Sequence, residues 1–214
     1  MTRRRRESPA GRVASAGMGR RAAALAAVAL LVLTGCSTGD DAVVAGSQFN
    51  FVAPEGKTTI RYDSADRQSL EISGEDLFNE GETISTADYE GKVVVINIWG
   101  QWCGPCRREA PELQQVYDKT KDDGVQVLGI DVRDHSRAAP QDFMRDRGLT
   151  YPSIYDPPGR SLLPLKGYPR NIVPSTIVLD KQHRVAVVFL KELLAEDLLP
   201  VVRRLADEPD ARRR

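Results

Sequence analysis

The chain has 214 residues, 41% of them hydrophobic, which is enough for one well-buried core and little more than one domain. Its 30 basic and 30 acidic residues cancel, but residues 1–36 hold seven Arg against the single acid Glu7, so the remaining body carries a net charge of −6. A mildly acidic body has no basic stripe for nucleic acid, and that class of function is set aside.

The start reads as targeting. Basic residues up to Arg21 precede AAALAAVALLVLTG, 14 apolar or small residues that end directly before Cys36. That length falls short of the roughly 20 residues needed to span a bilayer and suits the hydrophobic region of a signal peptide. LTGC at 33–36 resembles the bacterial lipobox, in which the Cys is lipidated and becomes the first residue after cleavage. The small pair Thr34-Gly35 favours this over an ordinary signal peptide with an incidental Cys, or a short anchor helix. Met18 offers a second start, and Arg20-Arg21 matches a twin-arginine signal only weakly. Residues 1–36 are thus expected to be a signal peptide with Cys36 as the lipidation site, leading to the extracytoplasmic face of the cell membrane. Lipidation also removes the odd thiol among three Cys, leaving Cys103 and Cys106 as an isolated pair.

Residues 37–48, small and polar, read as a flexible tether, followed by a folded domain over 49–208 and a disordered tail over 209–214. From Phe49 to Ile84 the pattern is short and strand-like; with TTIRY at 58–62 alternating, it predicts a small β-hairpin addition. VVVINIW (93–99) is apolar except for Asn97, as a central strand covered on both faces would be. A helix opens at Gly104-Pro105, carries Ala110, Leu113, Val116 and Tyr117 on one face, and should kink at Pro111. DDG (122–124) closes it before a second buried strand, VQVLGIDV (125–132). A short helix over 139–147, a strand in YPSIYD (151–156) and a helical segment around 159–166 follow. STIVLD (175–180) and RVAVVFL (184–190) have hairpin spacing, and a last amphipathic helix covers about 195–206; its Pro200 is unexplained. The order predicts an α/β fold, a mixed central sheet with helices on both faces.

The chemistry lies in WGQWCGPCRREAP. Cys103 follows a strand and opens a helix, where unpaired backbone N–H groups and the positive end of the dipole stabilise a thiolate. The thiolate is the attacking species, which makes Cys103 the nucleophile. Cys106, three positions on, is placed to resolve the mixed disulfide by attacking the sulfur of Cys103. Pro105 pre-sets the first helical turn. A structural disulfide seldom has this spacing at a helix start. A zinc site would need four ligands, and beyond the cysteines only His135 and His183 are available. Glu109 falls one turn after Cys106; from spacing alone it reads as a solvated helix residue. Trp99 reads as packing and Trp102 as part of the exposed surface around Cys103. Asp134, after the second strand, reads as a helix cap or as one wall of a substrate groove.

The WCGPC block, with VPST (173–176) about 70 residues later, resembles the thioredoxin superfamily, and most closely its membrane-tethered TlpA/ResA-like thiol-disulfide oxidoreductases. The resemblance spans roughly 80–206. It implies a thioredoxin fold, a cis Pro174 packed against the redox pair, and a Val173 backbone that pairs with a bound substrate peptide. It also implies that Trp102, Gly104 and Pro105 form part of the substrate-binding surface. Glu109, in CxxCxxE, becomes a proton shuttle to Cys106 with a raised pKa. The redox centre would be the Cys103-Cys106 disulfide itself, with no cofactor or metal. The resemblance further implies a monomer whose partners are a CcdA/DsbD-like membrane electron donor and apocytochrome c or another exported Cys-containing protein.

Two other readings compete. The same fold run in the opposite direction is a DsbE-type oxidant of secreted proteins, although Gly-Pro between the cysteines is typical of reducing thioredoxins. A Sco-like copper chaperone would use CxxxC and a nearby His, and the spacing here is one residue shorter. A peroxidase reading is set aside because the pair occupies the thioredoxin position rather than that of a lone peroxidatic Cys.

Overall fold

The computed structural model describes residues 49–52 and 56–209. The expected signal peptide, Cys36, the tether and residues 210–214 of the expected tail lie outside the described residues. In chain order the elements begin with four short strands, β1 (Phe49–Asn50), β2 (Thr59–Arg61), β3 (Ser73–Glu75) and β4 (Thr83–Ser85). Then come β5 (Val93–Trp99), α1 (Gly104–Thr120), β6 (Val125–Asp131), α2 (Ala138–Asp146) and β7 (Ser153–Tyr155). The chain closes with β8 (Leu165–Lys166), β9 (Ser175–Leu179), β10 (Val185–Phe189) and α3 (Ala195–Asp207).

Six strands form the main sheet in the order β2-β10-β9-β5-β6-β7. Strands β5, β6 and β7 run parallel, and β9 is antiparallel to both β5 and β10, so the sheet is mixed as expected. Every residue of β5 and β6 is buried, which is why both read as continuous apolar runs.

Alternation along β5 divides the core. Val93, Val95 and Trp99 face a cluster with Ala110, Leu113 and Val116 of α1, Met144 of α2, and Leu198, Val202 and Leu205 of α3. Val94, Ile96 and Ile98 face a second cluster with Phe49, Ile60, Leu70, Ile72, Leu162, Leu165 and Tyr168. All three α-helices therefore supply one face, and the other is covered by the first strands and the segment before β9. This differs from the expectation of helices on both faces. The covering segments are strand-like or irregular, so helical periodicity cannot reveal them.

The expected hairpin over 49–84 is likewise redistributed. β3 and β4 do pair antiparallel, but β1 pairs with the distant β8, and β2, from TTIRY, joins the main sheet against β10. In place of a helix over 159–166 there is one 3-10 turn, Arg160–Leu162, before β8. α1 continues through Pro111, whose ring lies on the exposed side, and Pro200 is accommodated in the same way within α3.

Candidate active site

The site forms at the end of β5, where the chain leaves the sheet and turns into α1. Trp99 is anchored before that turn: its indole N–H donates to Ser153 Oγ at 3.1 Å and its ring packs against Phe143. Gly100 is required next, because a Cβ there would collide with the Trp102 indole nitrogen and the Val132 carbonyl oxygen. The Trp102 N–H donates to that carbonyl at 2.8 Å, which pins the ring while leaving it exposed.

Cys103 is the N-cap of α1, and its sulfur accepts the Cys106 N–H at 3.2 Å. Gly104 and Pro105 form the first helical positions. The two sulfurs are joined as a disulfide. Cys103 and Cys106 are almost equally hidden, 4% and 3% exposed, so exposure does not decide which is attacked. Position does: Cys103 lies at the positive end of a 17-residue helix, whereas Cys106 is within its first turn. The loop before β9 approaches from across the fold. Its Val173-Pro174 bond is cis, and the Val173 carbonyl oxygen lies 3.7 Å from Cys103 Sγ.

Glu109 is not solvated; it is 1% exposed. Asn97 faces the helices from β5 and donates through Nδ2 to Glu109 Oε1 at 3.3 Å and to Thr176 Oγ1 at 3.1 Å. The Thr176 hydroxyl donates to the same Glu109 oxygen at 3.4 Å, while Oε2 has no hydrogen-bond partner of good geometry. Burial pushes the carboxyl up to about 8, opposed by the Thr176 hydroxyl and the Leu193 backbone. A carboxyl held there can store a proton at neutral pH and release it a little above. Asn97 and Thr176 were not singled out from sequence; the polar break in an otherwise apolar strand was the available signal.

A buried pair of acids, Asp131 and Asp134, lies beside the same turn. Asp134 does not cap α2, whose N-cap is Arg137 with no side-chain cap; its Oδ2 accepts the Gln101 N–H at 2.7 Å. Asp131, fully buried at the end of β6, is pushed up to about 9 by desolvation and by the neighbouring Asp134. It is therefore neutral in the folded state at pH 7 and ionised when unfolded. Its contribution to stability is full below about pH 4 and is lost as pH rises towards 9. Asp131→Asn, which keeps the shape and a donor, is expected to gain on the order of 1–3 kcal/mol at pH 7. Chemical denaturation from pH 5 to 9 checks this; a variant whose stability falls with pH as steeply as wild type would be the contrary result.

Residues 68–188, more than half of the chain, match the AhpC/TSA family. The chain belongs to that family, within the thioredoxin superfamily. Its curated relatives include the thiol-disulfide oxidoreductase ResA of Bacillus anthracis, 31% identical over 141 residues, covering 63% of this chain and 78% of the relative. Among solved structures, a secreted thiol-disulfide isomerase from Corynebacterium glutamicum is 50% identical, with a TM-score of 0.74, and covers 76% of this chain and all of the other. A DsbF homologue from Corynebacterium diphtheriae is also 50% identical, with a TM-score of 0.70, covering 74% of this chain and 99% of that one. This family member is a thiol-disulfide oxidoreductase with a thioredoxin-like fold, and its redox centre is the cysteine pair. Among the described residues no helix is long and apolar enough to cross a membrane.

Proposed function

We propose that the chain is a reductant of cysteine pairs in exported proteins, held at the extracytoplasmic face of the membrane through lipidated Cys36. Apocytochrome c is the substrate this reading favours, and a CcdA/DsbD-like membrane carrier is the source of electrons to a monomeric enzyme. What carries the reading is the convergence of the Cys103 N-cap, the cis Val173-Pro174 bond and buried Glu109 on one cysteine pair.

In this mechanism the Cys103 thiolate attacks a substrate disulfide while Val173 pairs with the substrate backbone. Trp102, Gly104 and Pro105 form the contact surface beside it. One substrate sulfur leaves, and a Cys103–substrate mixed disulfide remains. Glu109, as carboxylate, takes the proton from Cys106, whose thiolate attacks Cys103 Sγ and releases the reduced substrate. Two electrons pass to the substrate and the Cys103-Cys106 disulfide forms. The membrane carrier then reverses the exchange, and Glu109 returns the proton as Cys106 leaves.

Two specific observations support a second reading, a DsbE-type oxidant: the 50%-identical structures named a secreted thiol-disulfide isomerase and a DsbF homologue. A Sco-like copper role gains no such support. His183 lies in the β9-β10 turn, at the end of the sheet opposite the cysteines, with Nε2 3.1 Å from the Tyr89 carbonyl oxygen.

The reduction potential of the Cys103/Cys106 pair separates the two directions. A value near the about −270 mV of thioredoxin is expected, and one approaching the about −120 mV of DsbA would overturn the reductant reading. Cys106→Ser is expected to accumulate the mixed disulfide on Cys103. Recovery of exported proteins without any apocytochrome would remove the haem-related substrate.

A further inference from the structure

The surface beside Cys103 is electrically lopsided. On the α1 side, the Arg108 guanidinium is matched by Glu192, with Nε and Nη2 donating at 3.0 and 2.7 Å. On the Trp102 side there is no such match. The Arg133 guanidinium stands over the Trp102 ring at 5.5 Å and donates to the Arg170 carbonyl oxygen at 2.8 Å. That bond uses one of its five donors. Arg170 is exposed and its side chain forms no ion pair among the described residues. Acids near these residues in sequence are withdrawn: Asp131 is buried, Asp134 is buried and holds the Gln101 N–H, Asp156 is buried and accepts from Arg160 and Ser161, and Asp180 is buried between Arg67 and Arg184.

Backbone geometry adds an independent observation. Arg133 sits at φ +63°, in the left-handed region that favours glycine, yet the position holds an arginine. From there its side chain is held beside Trp102 by the Arg170 carbonyl oxygen, and the Trp102 ring is itself pinned by the Val132 carbonyl. The loop before β9, which carries Arg170, also carries Val173 three residues later, whose carbonyl faces Cys103.

We propose that Trp102, Arg133 and Arg170 form a recognition surface for partner polypeptides that carry Asp or Glu beside the cysteine to be exchanged. The surface rests on the thiol-disulfide exchange proposed above and names the substrate chemistry it selects. A peptide paired with the Val173 backbone brings a flanking residue to the edge of the Trp102 ring, beside the guanidinium that covers it. A carboxylate there meets the Arg133 guanidinium, with the exposed Arg170 on the loop whose carbonyl oxygen holds it, and a lysine meets the same local positive charge with repulsion. The remainder of the body is net acidic, so this local contrast also orients an approaching partner.

The test uses two peptides with one identical disulfide, flanked by Glu in one and by Lys in the other, each reduced by the reduced protein. At low ionic strength the second-order rate constant of this single exchange is expected to favour the Glu peptide about tenfold, with the preference shrinking in 0.5 M salt. Arg133→Gly relaxes the backbone and is expected to fold at least as stably while losing most of the preference; Arg170→Glu is expected to reverse it. Equal turnover of the two peptides by wild type, or an undiminished preference in both variants, overturns the recognition surface and leaves the exchange reading standing. Turnover of neither peptide by wild type overturns both.

Discussion

Glu109→Gln is expected to slow formation of the enzyme disulfide from the mixed disulfide by about 100-fold at pH 7 and to flatten its pH dependence. The carboxyl lies one turn after Cys106, is shielded from solvent, and is held by Asn97 and Thr176 on one oxygen only. With its pKa pushed up to about 8, wild type should accelerate as pH rises through that value, because the ionised form is the base that takes the Cys106 proton. Glutamine fills the same space and keeps the contact with Asn97, but it cannot accept a proton. Stopped-flow Trp fluorescence in single turnovers between pH 6 and 9.5 reports the step. A glutamine variant that retains the wild-type profile would remove Glu109 from proton transfer. The same substitution bears on stability with a defined sign. A raised carboxyl pKa contributes stability fully present below about pH 4 and lost as pH rises towards 8, so the variant should be the more stable protein at neutral pH.

Arg67→Ala is expected to cost about 3 kcal/mol of stability, the largest loss predicted away from the active site. Arg67 precedes β3, yet its guanidinium bridges Asp180 at 3.1 Å and forms a two-pronged contact with Glu208 at 2.6 and 2.9 Å. It thereby ties the segment between β2 and β3 to the β9-β10 turn and to the C-cap of α3. Asp180 is 1% exposed, and truncating Arg67 leaves its buried charge with Arg184 as its one ion-pair partner among the described residues, beside the Gln182 N–H. Burial alone would push Asp180 upward, but the Arg184 backbone and side chain and Arg67 together hold it below the ordinary range. The Arg67 contact lowers Glu208 as well. Depressed carboxyl pKa values contribute stability above the unfolded value, near pH 4, that is lost as pH falls through the folded values. Denaturation at pH 3 and 7 should show a smaller difference between the two proteins at pH 3. An equal loss at both would assign the cost to packing alone.

How much of the site could be read from the chain depends on sequence distance. Cys103 and Cys106 declare themselves because their chemistry is set within one helical turn. Pro174 was found through the later VPST segment, since no spacing rule links positions 70 residues apart. Glu109 was legible in position but not in environment. Its solvation is decided by Asn97 on β5 and Thr176 on β9, 12 and 67 residues away. Asp134 followed the wrong local rule: a helix cap is the nearest partner in sequence, whereas its actual partner, Gln101, is 33 residues earlier. Arg67 left no signal, because its partners lie 113 and 141 residues later.

The sequence by itself determined the buried central strands, the helix behind the cysteines and the placement of a reactive thiol at its N-terminus. These follow from periodicity and from backbone groups that every helix start leaves free. Tertiary structure decided which face the helices share, which strands cover the other, and which carboxyls are buried, paired or left neutral. A pKa reflects everything packed around a group, and the packing here joins segments that carry no local record of one another.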